Sequence, residues 1–370
     1  MKYKILFFMF SLKGGGAERT VVNIINNLNK EKFEVILILG TAEGNDYINL
    51  LSNKVKVKYL NSSKLRFCIF KLRKAILQEK PDLLFSTLIE NNIILICSKL
   101  LTFKKIPIVV REASNRTQSK KVTFFNKLTT SFFYNVFANK VIALSKGVKD
   151  DLITHFYVNK HKIDVIYNPV EISSIKKLSD ENVEEDDLDF ETNKILISVG
   201  RLAEAKDYYT LLKAFKKLTL VKENILLVIV GKGPLLKELV QFTYNLEIHQ
   251  KVKFIGFKSN PYKYIKKADI FVLSSKWEGF SHVIVESMAT GTPVISTNCN
   301  SGPGEIIENN KYGLLVPVGD YNAMAEKIYE LLQNNDEIEY YIEKGYKRAE
   351  YFEANIIVKK YESMFLSLIK

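Results

Sequence analysis

Short runs of β-branched and aliphatic residues recur along the chain, each followed by a stretch with helical spacing. In the first half the runs are KILFFMF, EVILILG, DLLFSTL, IPIVVRE, KVIALS and IDVIYN. In the second half they are KILISVG, LLVIVG, KFIGF, DIFVLSS, PVIST and GLLVPV. Strands this apolar, with no polar alternation, belong to parallel sheets covered on both faces by helices. The strand–helix order runs its course twice, which predicts an α/β protein of two doubly wound, Rossmann-like domains.

The pattern breaks at Asn168-Pro169, and an acidic run follows from Asp180 to Glu191. The predicted organisation is a first domain over 1–168, a linker with an acidic loop over 169–193, and a second domain over 194–350. A helix over 351–370 follows. The acidic run contains Asp187-Leu188-Asp189, a triplet that so many neighbouring acids produce by chance, and it reads as solvated loop. The final helix sets Ile356, Ile357, Tyr361, Met364, Phe365 and Leu368 on or near one stripe, which needs a partner within the fold. Two further stretches, Lys64 to Lys80 and Lys120 to Phe137, mix bases with aromatics. Core packing is the expectation for their apolar residues, and a lipid-facing surface is the alternative.

Composition sharpens this picture at a few points. With 370 residues, 47% hydrophobic and 26% charged, the chain has material for two ordinary globular domains. No apolar run reaches the ~18 residues of a membrane-crossing helix. The opening MKYKILFFMF imitates a signal peptide, but no small-x-small cleavage site follows, so a buried first strand is expected. Three scattered cysteines, Cys68, Cys97 and Cys299, suit a reducing compartment without a disulfide framework. Four histidines in no ligand spacing give no zinc site. The net charge of +13 is uneven: through Asn168 there are 28 Lys+Arg against 12 Asp+Glu. That surplus points to an anionic partner for the first half. No nucleic-acid-binding module is recognisable, so a membrane surface or a phosphorylated lipid fits better.

The candidate chemistry lies in turns that close strands. Gly14, Gly15 and Gly16 follow the first strand and open a helix, a geometry that offers backbone N–H groups to an anion. The spacing of neither a dinucleotide fingerprint nor a P-loop is present. The second domain's first strand ends at Gly200 and delivers Arg201 and Lys206, two bases able to neutralise a diphosphate without a metal. Gly231, in VIVGKGP, and Gly256-Phe257, in FIGF, close later strands on the same predicted edge. The segment SKWEGFSHVIVESMATGTPVIS places Glu278 in a glycine turn and Glu286 inside a helix, with Ser281 as the expected N-cap. Between the acids lie Gly279, Phe280, Ser281, His282 and Val283, where the helix's unpaired N–H groups would meet a phosphate. A ligand with a sugar, a diphosphate and a ribose has that layout.

EGFSHVIVE resembles the E-x7-E signature of the retaining glycosyltransferases of family GT4. GGAERTVVNI resembles that family's glycine loop. SVGRLAEAKDYYTLLKAF, IVGKGPLLKEL, VKFIGFKSNPYKYIKKADIFVLSSKWEGF and the GTPVISTNCNSGPGEII…YGLLVPVGD segment are similar to its second domain in order and spacing. The agreement extends along nearly the whole chain. The resemblance implies a GT-B fold, with two domains facing across a cleft and the last helix crossing back to the first domain.

It also implies roles. Glu278 would face the donor sugar's hydroxyls and Glu286 would hold the ribose. Arg201 and Lys206 would clamp the diphosphate and stabilise the leaving group. Gly15 or Gly16 would bring backbone to the diphosphate, Phe257 would lie near the base, and His282 could touch the sugar. Many relatives carry a first-domain histidine after the strand that here reads IPIVVREASN; Arg111 and Glu112 stand there instead and are candidates for the acceptor site.

The activity implied is metal-independent, cofactor-free transfer of a sugar, with retention, from a nucleotide-diphosphate sugar, UDP being the commoner nucleotide in the family. The acceptor would be a glycan or a polyprenyl-diphosphate-linked glycan in surface polysaccharide, lipopolysaccharide or glycoprotein glycan assembly. The expected location is cytoplasmic, peripheral on the inner face of the cell membrane. A nucleotide-sugar 2-epimerase of the same architecture and a non-catalytic sugar-nucleotide-binding subunit are the alternatives.

Overall fold

The computed structural model describes residues 2–13, 15–119, 122–183, 188 and 192–369. Gly14 and the acids Asp187 and Asp189 lie outside the described residues. The chain divides into two compact units, Met1–Val170 with Ala354–Lys370, and Glu171–Glu353.

The first unit is built on seven strands: β1 (Tyr3–Met9), β2 (Phe33–Leu39), β3 (Lys56–Tyr59), β4 (Leu83–Thr87), β5 (Ile108–Glu112), β6 (Lys140–Ala143) and β7 (Ile163–Val165). They form one parallel sheet in the order β3-β2-β1-β4-β5-β6-β7. Side chains alternate across a strand. Ile5, Phe7 and Met9 of β1 therefore face one helical layer while Leu6 and Phe8, equally buried, face the other.

The first of these layers contains the helix Gly16–Asn27 and the helix Ala354–Ile369. Ile357, Tyr361 and Phe365 of the latter are fully buried, with the Phe365 ring 5.9 Å from Phe85 and 6.4 Å from Phe7. The stripe read from the sequence is therefore a core face, except Ile356, which is exposed. The opposite layer holds the helices Cys68–Glu79 and Ile89–Leu100, packed side by side, and the π-helical turn Phe133–Phe137 against the second of them. Here the expectation of core packing is met only in part. Tyr134 is buried, but Phe70, Phe124, Phe125 and Phe132 are exposed.

The second unit carries β8 (Lys194–Val199), β9 (Ile225–Val230), β10 (Val252–Gly256), β11 (Ile270–Leu273), β12 (Val294–Thr297) and β13 (Leu314–Val316). They form a parallel sheet in the order β10-β9-β8-β11-β12-β13. The order reverses between β8 and β11, and in open α/β sheets the crevice at such a reversal, beyond the carboxyl ends of the strands, receives ligands. The segment read as a linker starts with a helix, Ile172–Ser179, whose Ile172 and Ile175 are buried against the helices Tyr262–Lys267 and His282–Thr290. Its spacing of two apolar residues three apart is too short a signal to register as a helix in sequence. Among the described residues no helix is long and apolar enough to cross a membrane.

Candidate active site

β8 and β11 are neighbours, so the loops leaving their carboxyl ends are brought together. β8 runs into Gly200, Arg201 and a 3-10 turn at Glu204–Lys206; β11 runs into Ser274, Ser275 and Glu278. Lys206 Nζ stands 2.5 Å from Glu278 Oε1, with both side chains largely buried. Ser275 Oγ donates to the same carboxylate oxygen at 2.7 Å. The backbone of the two loops is tied as well: Ser274 Oγ donates to the Lys206 carbonyl at 2.8 Å and Lys276 N to the Ala205 carbonyl at 2.8 Å. Ser301 Oγ donates to the Glu278 carbonyl at 2.6 Å. A cation and an anion held this closely in a partly dry setting attract strongly.

The field of Glu278 reaches its neighbours. Burial, reinforced by the Glu278 charge, pushes the Cys299 thiol up to about 12. Burial also raises the Tyr208 hydroxyl, whose O–H donates to the Gly200 carbonyl at 3.3 Å, and Glu278 raises it further. Both groups stay neutral, leaving Lys206 and Glu278 as charged partners at the reversal point. Arg201 is exposed, and among the described residues its guanidinium has no partner.

The glycines beside the pair are there for space. A Cβ on Gly231 would sit 1.9 Å from the Gly200 carbonyl oxygen. Gly231 N donates instead to the Gly256 carbonyl at 2.7 Å, which joins the ends of β9 and β10. Phe257 follows, 65% exposed, with Lys232 Nζ 5.0 Å from its ring centroid. Gly302 has φ of +92°, and a Cβ there would meet the Phe280 carbonyl oxygen at 2.5 Å.

Ser281 does not act as the expected cap. It occupies the N-cap position of the helix His282–Thr290, but at φ 79° it is left-handed, its hydroxyl accepts nothing from the helix, and its Oγ is buried with no hydrogen-bond partner among the described residues. The Phe280 ring is interior, 5.3 Å from Phe352 and 5.5 Å from His282, so only its backbone faces the loop. His282 and Val283 are half-buried at the helix start, and Gly279 is half-buried before it. Glu286, 3% exposed, accepts from Tyr262 OH at 3.4 Å. A helical carboxylate this deep sits where local capping would not put it.

Sequence reasoning missed Ser275 and Ser301, which grip Glu278 at side chain and backbone. It also missed the open pocket of about 230 Å³ formed by the loop after β12, from Asn298 to Glu305. That loop is pinned from below: Arg348, buried, donates through Nε to the Ile306 carbonyl at 2.9 Å and through Nη2 to the Glu305 carbonyl at 2.6 Å. A serine two or four residues past a strand, as Ser275 and Ser301 are, carries no sequence signal of its own. Only strand adjacency shows which serines meet the acid.

In the first unit Gly15 is the N-cap of the helix Gly16–Asn27 and makes no side-chain cap. A Cβ on Gly15 would lie 2.4 Å from Glu18 Oε2, so the Glu18 carboxylate folds back over the first turn. Burial raises the Glu18 carboxyl above its ordinary value, opposed by a hydrogen bond to its own backbone and by the Arg111 charge. Arg111 itself is 0% exposed; it donates through Nη1 to Thr87 Oγ1 at 3.0 Å and through Nη2 to Asn168. Glu112 accepts from Tyr134 OH, which in turn accepts from Asn92 Nδ2 at 2.8 Å. Burial raises the Glu112 carboxyl against the pull of Arg116 and Tyr134. Neither candidate acceptor residue opens to solvent: the Glu112 carboxylate and both Arg111 terminal nitrogens are bonded inside the unit, while Arg111 Nε is buried with no hydrogen-bond partner among the described residues. Among the described residues no three His, Cys, Asp or Glu side chains gather as a metal ion would require.

Comparison with known proteins agrees with this architecture. Residues 179–348 match the family model "Glycosyl transferases group 1", and residues 14–174 match "Glycosyltransferase Family 4". A Campylobacter jejuni relative is 30% identical over 95% of this chain and 96% of its own length. It is the N-acetylgalactosamine-N,N'-diacetylbacillosaminyl-diphospho-undecaprenol 4-alpha-N-acetylgalactosaminyltransferase.

The chain belongs to glycosyltransferase family 4.

A second relative from the same organism is 32% identical over 90% of this chain and 89% of its own. It is the GalNAc-alpha-(1->4)-GalNAc-alpha-(1->3)-diNAcBac-PP-undecaprenol alpha-1,4-N-acetyl-D-galactosaminyltransferase. Among solved structures, Anabaena HepE in complex with UDP-glucose superposes with a TM-score of 0.83 at 21% identity, covering 98% of this chain and 99% of that one. That likeness establishes the GT-B fold for this glycosyltransferase, an enzyme of the hexosyl-transferring kind.

Proposed function

We propose that this glycosyltransferase moves a sugar from a UDP-sugar to a polyprenyl-diphosphate-linked glycan, with retention and without a metal ion. The observation that carries the reading is the Lys206–Glu278 pair at the reversal point of the second sheet, with Arg201 exposed on the same loop as Lys206. The two relatives named for undecaprenol-linked acceptors support the acceptor class, and the UDP-glucose complex of HepE supports the nucleotide.

In this reading Arg201 and Lys206 neutralise the diphosphate as it departs, which is stabilisation of charge that grows in the transition state. Glu278 binds a sugar hydroxyl. Its Oε1 already accepts from an ammonium and a hydroxyl, and a carboxylate so engaged is a poor nucleophile for the double displacement that retention otherwise requires. The leaving diphosphate then takes the acceptor's proton on the face from which the acceptor attacks. Glu286 and its Tyr262 partner hold the ribose, and Gly231 and Phe257 flank the base. The backbone of Gly279, Phe280 and Ser281, with His282 and Val283, lines the phosphate and sugar.

A thermal-shift panel of UDP-, GDP- and dTDP-sugars, followed by mass spectrometry of products with lipid-linked acceptors, tests this. The expected result is stabilisation by a UDP-sugar and acceptor-dependent transfer that a chelator leaves unchanged. An altered sugar nucleotide released without acceptor would establish the epimerase reading instead, and loss of turnover in chelator would overturn metal independence.

A further inference from the structure

The strand ends of the second sheet set out the donor in order. Neighbouring strands lie about 4.8 Å apart. From one edge inward, Phe257 follows β10, Gly231 follows β9, Arg201 and Lys206 follow β8, and Glu278 follows β11. In the reading above these hold base, diphosphate and sugar in turn. The next strand is β12, paired to β11 on the side away from β8. Whatever leaves β12 therefore stands beyond the sugar, one strand further from the diphosphate. The diphosphate is bonded at the anomeric carbon, C1, so the part of the sugar carried furthest from it is C4 with its neighbours.

What leaves β12 is the loop around the open pocket of about 230 Å³. Its backbone is fixed at several points. Asn298 N donates to the Val316 carbonyl at 2.8 Å, Cys299 Sγ to the Ser275 carbonyl at 3.1 Å and Ser301 Oγ to the Glu278 carbonyl at 2.6 Å. Arg348, its guanidinium carbon 5.0 Å from the Tyr312 ring centroid, holds the carbonyls of Glu305 and Ile306. Two of these bonds end on the turn that carries Glu278, so the pocket and the carboxylate share a wall.

This fixed loop leaves two side chains over. Asn298 and Asn300 line the pocket and are exposed, and among the described residues no hydrogen bond holds either side-chain amide. The Asn298 amide lies over Gly304, where a Cβ would come 2.7 Å from Asn298 Oδ1. An asparagine amide offers an acceptor oxygen and two N–H donors, and a hydroxyl can use both kinds. A site built to bond a hydroxyl rejects a sugar that turns it elsewhere, because the site's own polar groups are then covered and unpaired.

We propose that Asn298 and Asn300 select the donor sugar, reading the configuration of its C4 hydroxyl from the side opposite the diphosphate. This selection rests on the donor reading above, in which Glu278 already holds the sugar, and it decides which sugars that site admits.

The test is calorimetric titration of the full chain with two pairs of donors that differ only at C4, and with UDP alone. The pairs are UDP-glucose with UDP-galactose, and UDP-N-acetylglucosamine with UDP-N-acetylgalactosamine. The parent is expected to separate the epimers of at least one pair by about tenfold or more in Kd. Asn298→Ala/Asn300→Ala should bring that ratio to within about threefold of unity, with the affinity for UDP alone as in the parent. Both positions are exposed, so circular dichroism should match the parent. Gly304→Ala, which crowds the Asn298 amide without deleting it, should narrow the ratio in the same direction. A parent that binds both epimers of each pair equally, or variants that keep the parent's ratio, would overturn the proposal. So would variants that weaken UDP alone as much as the UDP-sugars, or that raise only the acceptor's KM in transfer assays. UDP alone tells the two readings apart. If UDP binds and the epimers are not distinguished, selection by this loop falls and the donor reading stands; if no UDP compound binds, both fall.

Discussion

Lys206 Nζ and Glu278 Oε1 lie 2.5 Å apart although 72 positions separate them in the chain. The contact exists because β8 and β11 are adjacent in the second sheet. Each side chain is the other's charge partner, so the two should fail as a unit. Lys206→Ala and Glu278→Ala are each expected to lower kcat/KM by on the order of 10²-fold. The double variant should fall little further than the worse single, as groups acting together do. Steady-state kinetics on the three proteins would show it, and strictly additive losses would separate the two roles.

Gly231→Ala places a methyl 1.9 Å from the Gly200 carbonyl oxygen, and Gly302→Ala places one 2.5 Å from that of Phe280 at a φ of +92°. Neither backbone oxygen can step aside without breaking a strand end or the loop after β11. Both substitutions should destabilise the protein by more than ~1 kcal/mol. Urea denaturation followed by circular dichroism measures the loss.

Phe365→Ala removes a ring packed on Phe7, Phe33 and Phe85. Its position in the core of the first sheet puts the expected cost at about 3–5 kcal/mol. The loss should appear in the first unit while UDP-sugar binding, proposed for the second, persists under folding conditions. Hydrogen exchange resolved by segment would separate the two.

Glu112 gives the first unit a pH dependence of definite sign. Burial raises its carboxyl above the ordinary 4.5, so the folded chain holds a proton that the unfolded chain has lost. Stability from this group is greatest below the ordinary value and falls as pH rises through the raised one. Glu18, raised for the same first reason, acts in the same direction. Glu112→Gln keeps an acceptor for Tyr134 and removes the titration. Its unfolding free energy should decline less than the parent's as pH rises above the ordinary carboxylate range.

Much of the sheet architecture was legible because parallel strands are apolar throughout. All of β8 to β13 and most of the first sheet coincide with runs such as KILISVG and DLLFSTL. β3 escaped because it is an edge strand. Its sequence KVKY alternates with lysines and is partly exposed, so it lacks the continuous apolar signature. The helix Ile172–Ser179 was hidden by its length and by the proline before it. At the site, Arg201, Lys206, Glu278 and Glu286 could be picked out as charges at strand ends and helix starts. The interior fate of Phe280 and the left-handed turn at Ser281 could not, since both depend on Gly302 approaching from another loop. Arg111 and Glu112 looked like open acceptor groups because their partners, Asn168 and Tyr134, lie 57 and 22 positions away.

The helix Ala354–Ile369 belongs with strands made at the other end of the message. A ribosome must translate all of residues 171–353 before Tyr361 and Phe365 emerge to cover Phe7 and Phe85. Domains that fold strictly in the order of their synthesis bury their greasy surfaces as they appear. This one must hold a patch of its earliest strand bare until its late-arriving seventeen-residue closure, 354–370, reaches it, and nascent chains stalled short of that closure are the natural clients for chaperones.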